Sequence, residues 1–193
     1  MRTFHEFCKK ILHESRGGVF LFPKLTTIIE KDAKYLDIDC ENFDHKFQML
    51  DESGKEISFY LQRGDYYNTV SFNDSVYRMW RELKKDTEIL HGFDQILIDE
   101  FQDFNPLEVA FIDELEKYGH ILIVGDDDQA VYHLRGSSPE YLRKKFTSGH
   151  YKTFELPFCS RCTEVVVNAT NEIFKVANAN GNLKDRVQKR YEC

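Results

Sequence analysis

The sequence predicts an α/β protein whose parallel sheet is flanked by helices. Two observations carry this. FDQILIDE (93–100) and HILIVGDDD (120–128) are short, continuous apolar runs that end in carboxylates, as strands buried on both faces do. Stretches with helical apolar spacing, 106–118 and 139–146, alternate with them, and such alternation builds parallel βα units. KTFEL (152–156) reads as a third strand, and Thr163 to about Ala177 as a further helix.

The first half reads differently. Residues 3–15 place Phe4, Phe7, Cys8, Ile11 and Leu12 on one helical face, stopped by Arg16-Gly17-Gly18. VFLF and Pro23 then precede a mixed, helix-like stretch to Leu36. FDHKFQML and EISFYL, separated by Asp51 to Lys55, predict a β-hairpin within 43–71, with YYNTVSF as a third strand. Asn73 or Asp74 is the expected cap of a helix carrying Val76, Met79, Trp80 and Leu83 on one face. Residues 178–193 show no clear element.

Composition bounds the function. The chain has 193 residues, 41% of them hydrophobic, enough for a sizeable core. A net charge of −7 argues against a dedicated nucleic-acid-binding module, though a motor can confine its basic residues to a groove. No apolar run approaches the ~20 residues of a membrane span. The start lacks a secretory signal pattern, so the expected location is the cytoplasm. Cys8, Cys40, Cys159, Cys162 and Cys193 read as free thiols of a reducing compartment, with a redox or zinc role for the Cys159/Cys162 CxxC as the minority alternative.

In an open parallel sheet, ligands sit beyond the carboxyl ends of the strands. Asp99, Glu100 and Asp103 follow one strand, and Asp126, Asp127 and Asp128 the other, with Gln102 and Gln129 close by. Acids gathered on one rim repel each other unless a cation neutralises them. Hard oxygen ligands suit Mg²⁺ bound together with phosphate oxygens. A metal–phosphate site is therefore preferred to a set of solvated loop acids.

The same residues carry a resemblance. ILIDEFQDFNPLE (96–108) resembles helicase motif II of the UvrD-like type, D-E-x-Q-D. IVGDDDQAVYHLRGSS (123–138) resembles motif III, G-D-x-D-Q-x-I-Y-x-[FW]-R-G-A. TFHEFCKKIL is similar to the T-x-H-x-F segment after motif Ia, VSFNDSVYRMWREL to the helix before motif II, and LPFCSRC to motif IV at Leu156 and Arg161. Together these cover 1–14 and about 70–176 of a UvrD-like superfamily 1 DNA helicase.

The resemblance implies an incomplete RecA-like (P-loop NTPase) sheet, ATP and Mg²⁺ as cofactors, and single-stranded DNA as partner. It implies a partial motor domain over 1–18 and 71–162, an inserted, partly β accessory subdomain over 19–70, and the start of a second motor domain over 163–193. Asp99 would hold Mg²⁺ together with Glu100, and Glu100 would act as general base. Gln102 and Gln129 would sense the γ-phosphate. Asp103 and Asp126 would line the nucleotide site, with Arg135 linking it to the motif III loop. Arg161 would be an arginine finger, and Thr3, His5 and Tyr132 would contact DNA. Plainer readings stand beside these: Tyr132 as a core aromatic, His5 as a surface or capping histidine, Arg161 as the partner of a surface acid.

The departures are as informative. Leu134 stands where the family stacks an aromatic on a base, a contact worth roughly 1–3 kcal/mol. Cys159-Ser160 replace the Asn-Tyr pair of motif IV. No G-x-x-x-x-G-K-[ST] run is present: Gly54-Lys55 is followed by Glu56, and Met49 occupies the first glycine position. Both ends therefore look cut, and unpaired sheet edges are expected to offer a surface for dimerisation. The reading is a fragment of an ATP-dependent helicase, inactive when isolated. The alternatives are a degenerate DNA- or protein-binding module and a metal-dependent nuclease using Asp99, Glu100 and Asp126.

Overall fold

The architecture was taken from a computed structural model, which describes residues 3–15, 17–85, 93–130, 136–189 and 191–193. Among these residues, eight α-helices surround two small parallel sheets. In chain order they are α1 (Phe4–Ser15), β1 (Phe20–Leu21), α2 (Leu25–Tyr35), α3 (Phe43–Gln48), α4 (Glu56–Tyr66), β2 (Thr69–Val70), α5 (Phe72–Lys85), β3 (Gln95–Ile98), α6 (Pro106–Leu115), β4 (His120–Ile123), α7 (Pro139–Thr147) and α8 (Glu164–Ala179). None of the helices is long and apolar enough to cross a membrane.

β3 and β4 pair in parallel, with Ile96 opposite Ile121 and Ile98 opposite Ile123. These four isoleucines face the core, where Phe101, Leu107, Phe111 and Ile112 are buried. The opposite face is open, with Leu97 68% and Leu122 43% exposed. α5 is the centre of the molecule. Its Val76, Tyr77, Met79 and Leu83 pack in one cluster with Cys8 and Leu12 of α1, Phe43 and Phe47 of α3, and α6. The apolar side chains of residues 19–70 join this same cluster, among them Leu25, Ile29, Ile57 and Tyr60.

α6 begins with a complete capping box. Asn105 Oδ1 accepts from the Glu108 N–H at 3.1 Å, and Glu108 Oε2 accepts from the Asn105 N–H at 3.0 Å. Pro106 supplies the fixed φ of the first turn. Pro139 does the same for α7 behind Ser138, as its position in the sequence predicts. Gly17 and Gly18, both at positive φ, end α1 as expected.

Three expectations fail. The β-hairpin predicted within 43–71 is a pair of helices, α3 and α4. The period explains it: Phe43 and Phe47 are four apart, and Ile57, Tyr60 and Gly64 three and four apart, so helices bury them together. The Asp51–Lys55 segment is a loop as read, but it joins helices. Residues 19–70 are accordingly mostly helical, and the strands described within them are β1 and β2, two residues each, β2 lying in the YYNTVSF segment read as a strand.

KTFEL is not a strand. Phe154 (72%) and Leu156 (85%) lie exposed, and neither of the described sheets includes them. Apolar alternation makes a strand only where a neighbour accepts its hydrogen bonds. Finally, neither Asn73 nor Asp74 is the cap of α5, which starts at Phe72. Asn73 Nδ2 donates to Asp44 Oδ1, and Asp74 is fully buried against Arg78.

Candidate functional site

The chemistry gathers at the carboxyl ends of β3 and β4. Adjacent parallel pairing places the two acidic segments at the same end of the sheet, as the sequence predicts. After β3 the chain turns sharply. Glu100 takes a left-handed conformation (φ 55°), and Phe101–Asp103 form one 3₁₀ turn. Phe101 N–H donates to Val124 O at 3.1 Å, which closes the two strand ends on each other.

Gln102 is the bridge. Its side chain is buried, its Nε2 donates to Glu100 Oε2 at 2.7 Å, and its Oε1 accepts the Asp126 N–H at 3.0 Å. Gly125 permits this approach, because a Cβ there would lie 2.8 Å from Gln102 Oε1. Asp126 continues the chain of hydrogen bonds: its Oδ2 accepts from Gln129 Nε2 at 2.9 Å. Asp99 and Glu100 are exposed, and Asp99 Oδ1 accepts the Glu100 N–H at 2.9 Å. Gln102 thus holds one oxygen of the exposed Glu100 carboxylate and does not engage the other.

Asp126, Asp127 and Asp128 place carboxylate oxygens within 4.8 Å of one another, the only such acidic or thiol/imidazole triad among the described residues. They need no metal to neutralise them. Lys189 Nζ donates to Asp126 and Asp127, Arg186 forms a two-bond pair with Asp128 at 2.7 Å, and Arg143 Nε donates to Asp127 at 2.7 Å. The Tyr191 hydroxyl donates at 2.8 Å to Asp126, and the Val187 N–H reaches Asp127 Oδ2 at 3.1 Å. Three cations face three acids, and Asp127 is nearly sealed from solvent.

At this triad the protein's own cations supply the counter-charge that the sequence argument assigned to a metal. The counter-charge comes from α7 and from the tail that showed no clear element. The signal was present: the basic run Lys184-Asp185-Arg186-Val187-Gln188-Lys189 follows an acidic triad that has to be balanced. A divalent ion could be held by the exposed Asp99 and Glu100 carboxylates, since Mg²⁺ needs only one or two of them beside phosphate oxygens.

Burial alone would raise Asp126 and Asp127. The hydrogen bonds from Lys189, and from Gln129 and Arg143 respectively, outweigh it and hold both carboxyls below their ordinary value. Such groups contribute stability that is complete above the unfolded value of about 3.9 and is lost as pH falls through the lower folded value. The urea midpoint is therefore expected to fall between about pH 5 and pH 3, and to fall less in Asp127→Asn. Equal acid sensitivity of the two proteins in chemical denaturation would contradict the network.

The remaining predicted residues are placed as follows. Asp103 lies half-buried on the 3₁₀ turn. Thr3 Oγ1 accepts the Glu6 N–H at 3.3 Å at the start of α1. His5 packs edge-on against Phe72 and lies 3.9 Å from Glu108, between three helices. Arg161 is exposed between Cys159 and Cys162, and no hydrogen bond or ion pair joins it to Asp99, Glu100 or Gln129. Tyr132, Leu134 and Arg135 lie outside the described residues.

Comparison with known proteins identifies the family. The family model for the UvrD/REP helicase N-terminal domain matches residues 46–148. DNA helicase II of Haemophilus influenzae is 31% identical over 159 residues, 80% of this chain and 21% of that protein. A probable DNA helicase II homolog of Mycoplasma capricolum is 28% identical over 176 residues, 70% of this chain and 24% of that protein. DNA helicase II of Escherichia coli is 37% identical over 93 residues, covering 47% of this chain and 13% of the relative. The chain thus spans about a quarter or less of the length of these relatives. The Glu100–Gln102–Asp126 bridge falls inside the matched region, and the chain belongs to the UvrD/REP helicase N-terminal domain family.

Proposed function

We propose that this chain supplies the metal- and water-handling part of an ATP-driven motor that moves on single-stranded DNA. The observation that carries the reading is the hydrogen-bonded bridge from Glu100 through Gln102 to Asp126 and Gln129. It joins one candidate base and two candidate γ-phosphate sensors across the ends of adjacent strands.

In this reading Asp99 and Glu100 hold Mg²⁺, which supplies charge neutralisation for the transferring phosphoryl group. Glu100 accepts the proton of the attacking water through the oxygen that Gln102 leaves unbonded. Gln102 fixes the direction of that carboxylate. Gln129 reports on the γ-phosphate, and its bond to Asp126 carries the report to the opposite end of the loop. In the same reading Arg161 approaches the transferring group as an arginine finger. Asp103, Asp126 and Arg135 border the nucleotide, while Thr3, His5 and Tyr132 contribute to the DNA track. Residues 1–18 and 71–162 form the motor part, 19–70 an inserted subdomain, and 163–193 the start of a second motor domain.

A second reading rests on one observation, the missing G-x-x-x-x-G-K-[ST] run. It makes the chain a binding module for DNA or protein, without hydrolysis. Both readings expect this 193-residue chain to hydrolyse ATP slowly or not at all with Mg²⁺ and single-stranded DNA. Hydrolysis at the rate of a whole DNA helicase II, in a phosphate-release assay, would overturn both.

A further inference from the structure

α8 sits on the molecule with little apolar contact. Of its 16 residues only Val167 is buried, while Val165, Val166, Ile173 and Val176 are exposed. None of the α8 side chains belongs to the hydrophobic cluster around α5. Among the described residues, the side chains of α8 bond or stack outside the helix only with the segment after it. Asn171 Nδ2 donates to Tyr191 O at 3.0 Å, and the Phe174 and Tyr191 rings lie 6.1 Å apart. The Arg186 guanidinium stands 4.4 Å from the centre of the Phe174 ring. The chain leading into α8 is tied to the same segment: Cys159 N–H donates to Glu192 O and Glu192 N–H to Pro157 O, both at 2.8 Å. The other side of this segment holds the acidic triad. Arg186 takes both oxygens of Asp128, Lys189 bonds Asp126 and Asp127, and the Tyr191 hydroxyl lies between Asp126 and Asp128.

We propose that residues 186–191 are an ionic clamp that docks α8 onto the Asp126–Asp128 loop and opens as a unit, together with α8, while the core around α5 stays folded. The division of contacts carries this inference. The clamp meets α8 through an amide, two rings and a guanidinium, and meets the loop through charge. Docking of this kind depends on single residues in a way that apolar packing does not: removing one partner of an enclosed ion pair leaves the other charge buried and unpaired. Opening itself is less costly, because Arg143 on α7 stays bonded to Asp127 when the clamp leaves. A helix of 16 residues without a packed apolar face is marginal by itself, so α8 loses protection once the clamp is off. Regions with few buried apolar contacts are the ones that open locally. Asp126 also accepts from Gln129, so the clamp and that glutamine share an anchor. A link from α8 to γ-phosphate sensing through this anchor rests on the proposed function, whereas the clamp does not.

The test is amide hydrogen exchange on the full chain without nucleotide, read by mass spectrometry on peptides covering 164–179, 183–193 and, as the core reference, 72–85. In the wild type, α8 and the clamp are expected to exchange together, at least about tenfold faster than α5. Arg186→Met should speed exchange of both by at least about tenfold more and leave α5 as it was. Lys175→Met, at an exposed position of α8, should behave like the wild type. Unchanged exchange of α8 in Arg186→Met would overturn the proposal. So would wild-type exchange of α8 at the rate of α5, loss of α5 protection in Arg186→Met, or an equal effect of Lys175→Met.

Discussion

Arg78→Met is expected to lower the free energy of unfolding by about 3–5 kcal/mol, because it leaves a buried charge without its partner. Arg78 is almost fully enclosed between α4 and α5. Its Nε donates to Asp74 Oδ1 at 2.6 Å, its Nη1 to Asp65 Oδ1 at 2.5 Å and its Nη2 to Leu61 O at 2.9 Å. The packing is close enough that a Cβ on Gly64 would come within 2.9 Å of the guanidinium. Methionine keeps much of the volume and none of the charge.

The pH dependence gives the loss a signature. Burial pushes the Asp74 carboxyl up, to about 6, with Arg78 opposing it. A carboxyl raised above its unfolded value of about 3.9 contributes stability at low pH that is lost as pH rises through the folded value. Without Arg78 the folded value rises further. The deficit of Arg78→Met relative to wild type should therefore be larger at pH 8 than at pH 5. Urea denaturation at both values checks this. A deficit that is small and independent of pH would show that Asp74 is not held as a buried charge.

The same residues show what could and could not be read ahead. The helix over 72–85 was legible from Val76, Met79 and Leu83, because one-sided apolar spacing is a local property. Its start was not, because Asp74 looks like a cap in sequence and becomes one only if the chain turns there. α6 was legible for the opposite reason: Asn105, Pro106 and Glu108 satisfy each other within four residues. Both β3 and β4 announced themselves through continuous isoleucine and leucine runs. KTFEL and FDHKFQML misled because a strand is a pairing, and no local pattern contains its partner. For FDHKFQML the four-residue step from Phe43 to Phe47 outweighed any alternation.

The candidate site divides along the same line. Asp99, Glu100, Gln102, Asp126 and Gln129 were singled out by residue type and position, and the structure joins four of them through hydrogen bonds, with Asp99 bonded to the Glu100 N–H. The partners of the acidic triad were not foreseen, since Arg186, Lys189 and Tyr191 lie about sixty residues away in a segment without periodicity. Charge balance is the only rule that links them, and it names a need without naming who meets it.

The central claim, that Glu100 is the base of an ATP-hydrolysing motor, is tested most directly in a graft. Residues 46–148, the family-matched stretch, replace the corresponding stretch of DNA helicase II from Escherichia coli, with and without Glu100→Gln. Single-stranded-DNA-stimulated ATP hydrolysis and ATP binding are measured on both proteins. The account predicts that the graft hydrolyses ATP and that Glu100→Gln lowers kcat by about 10²–10⁴-fold while ATP still binds. Hydrolysis by the Glu100→Gln graft at the rate of the unmutated graft would contradict it, as would a graft that binds ATP and never hydrolyses it.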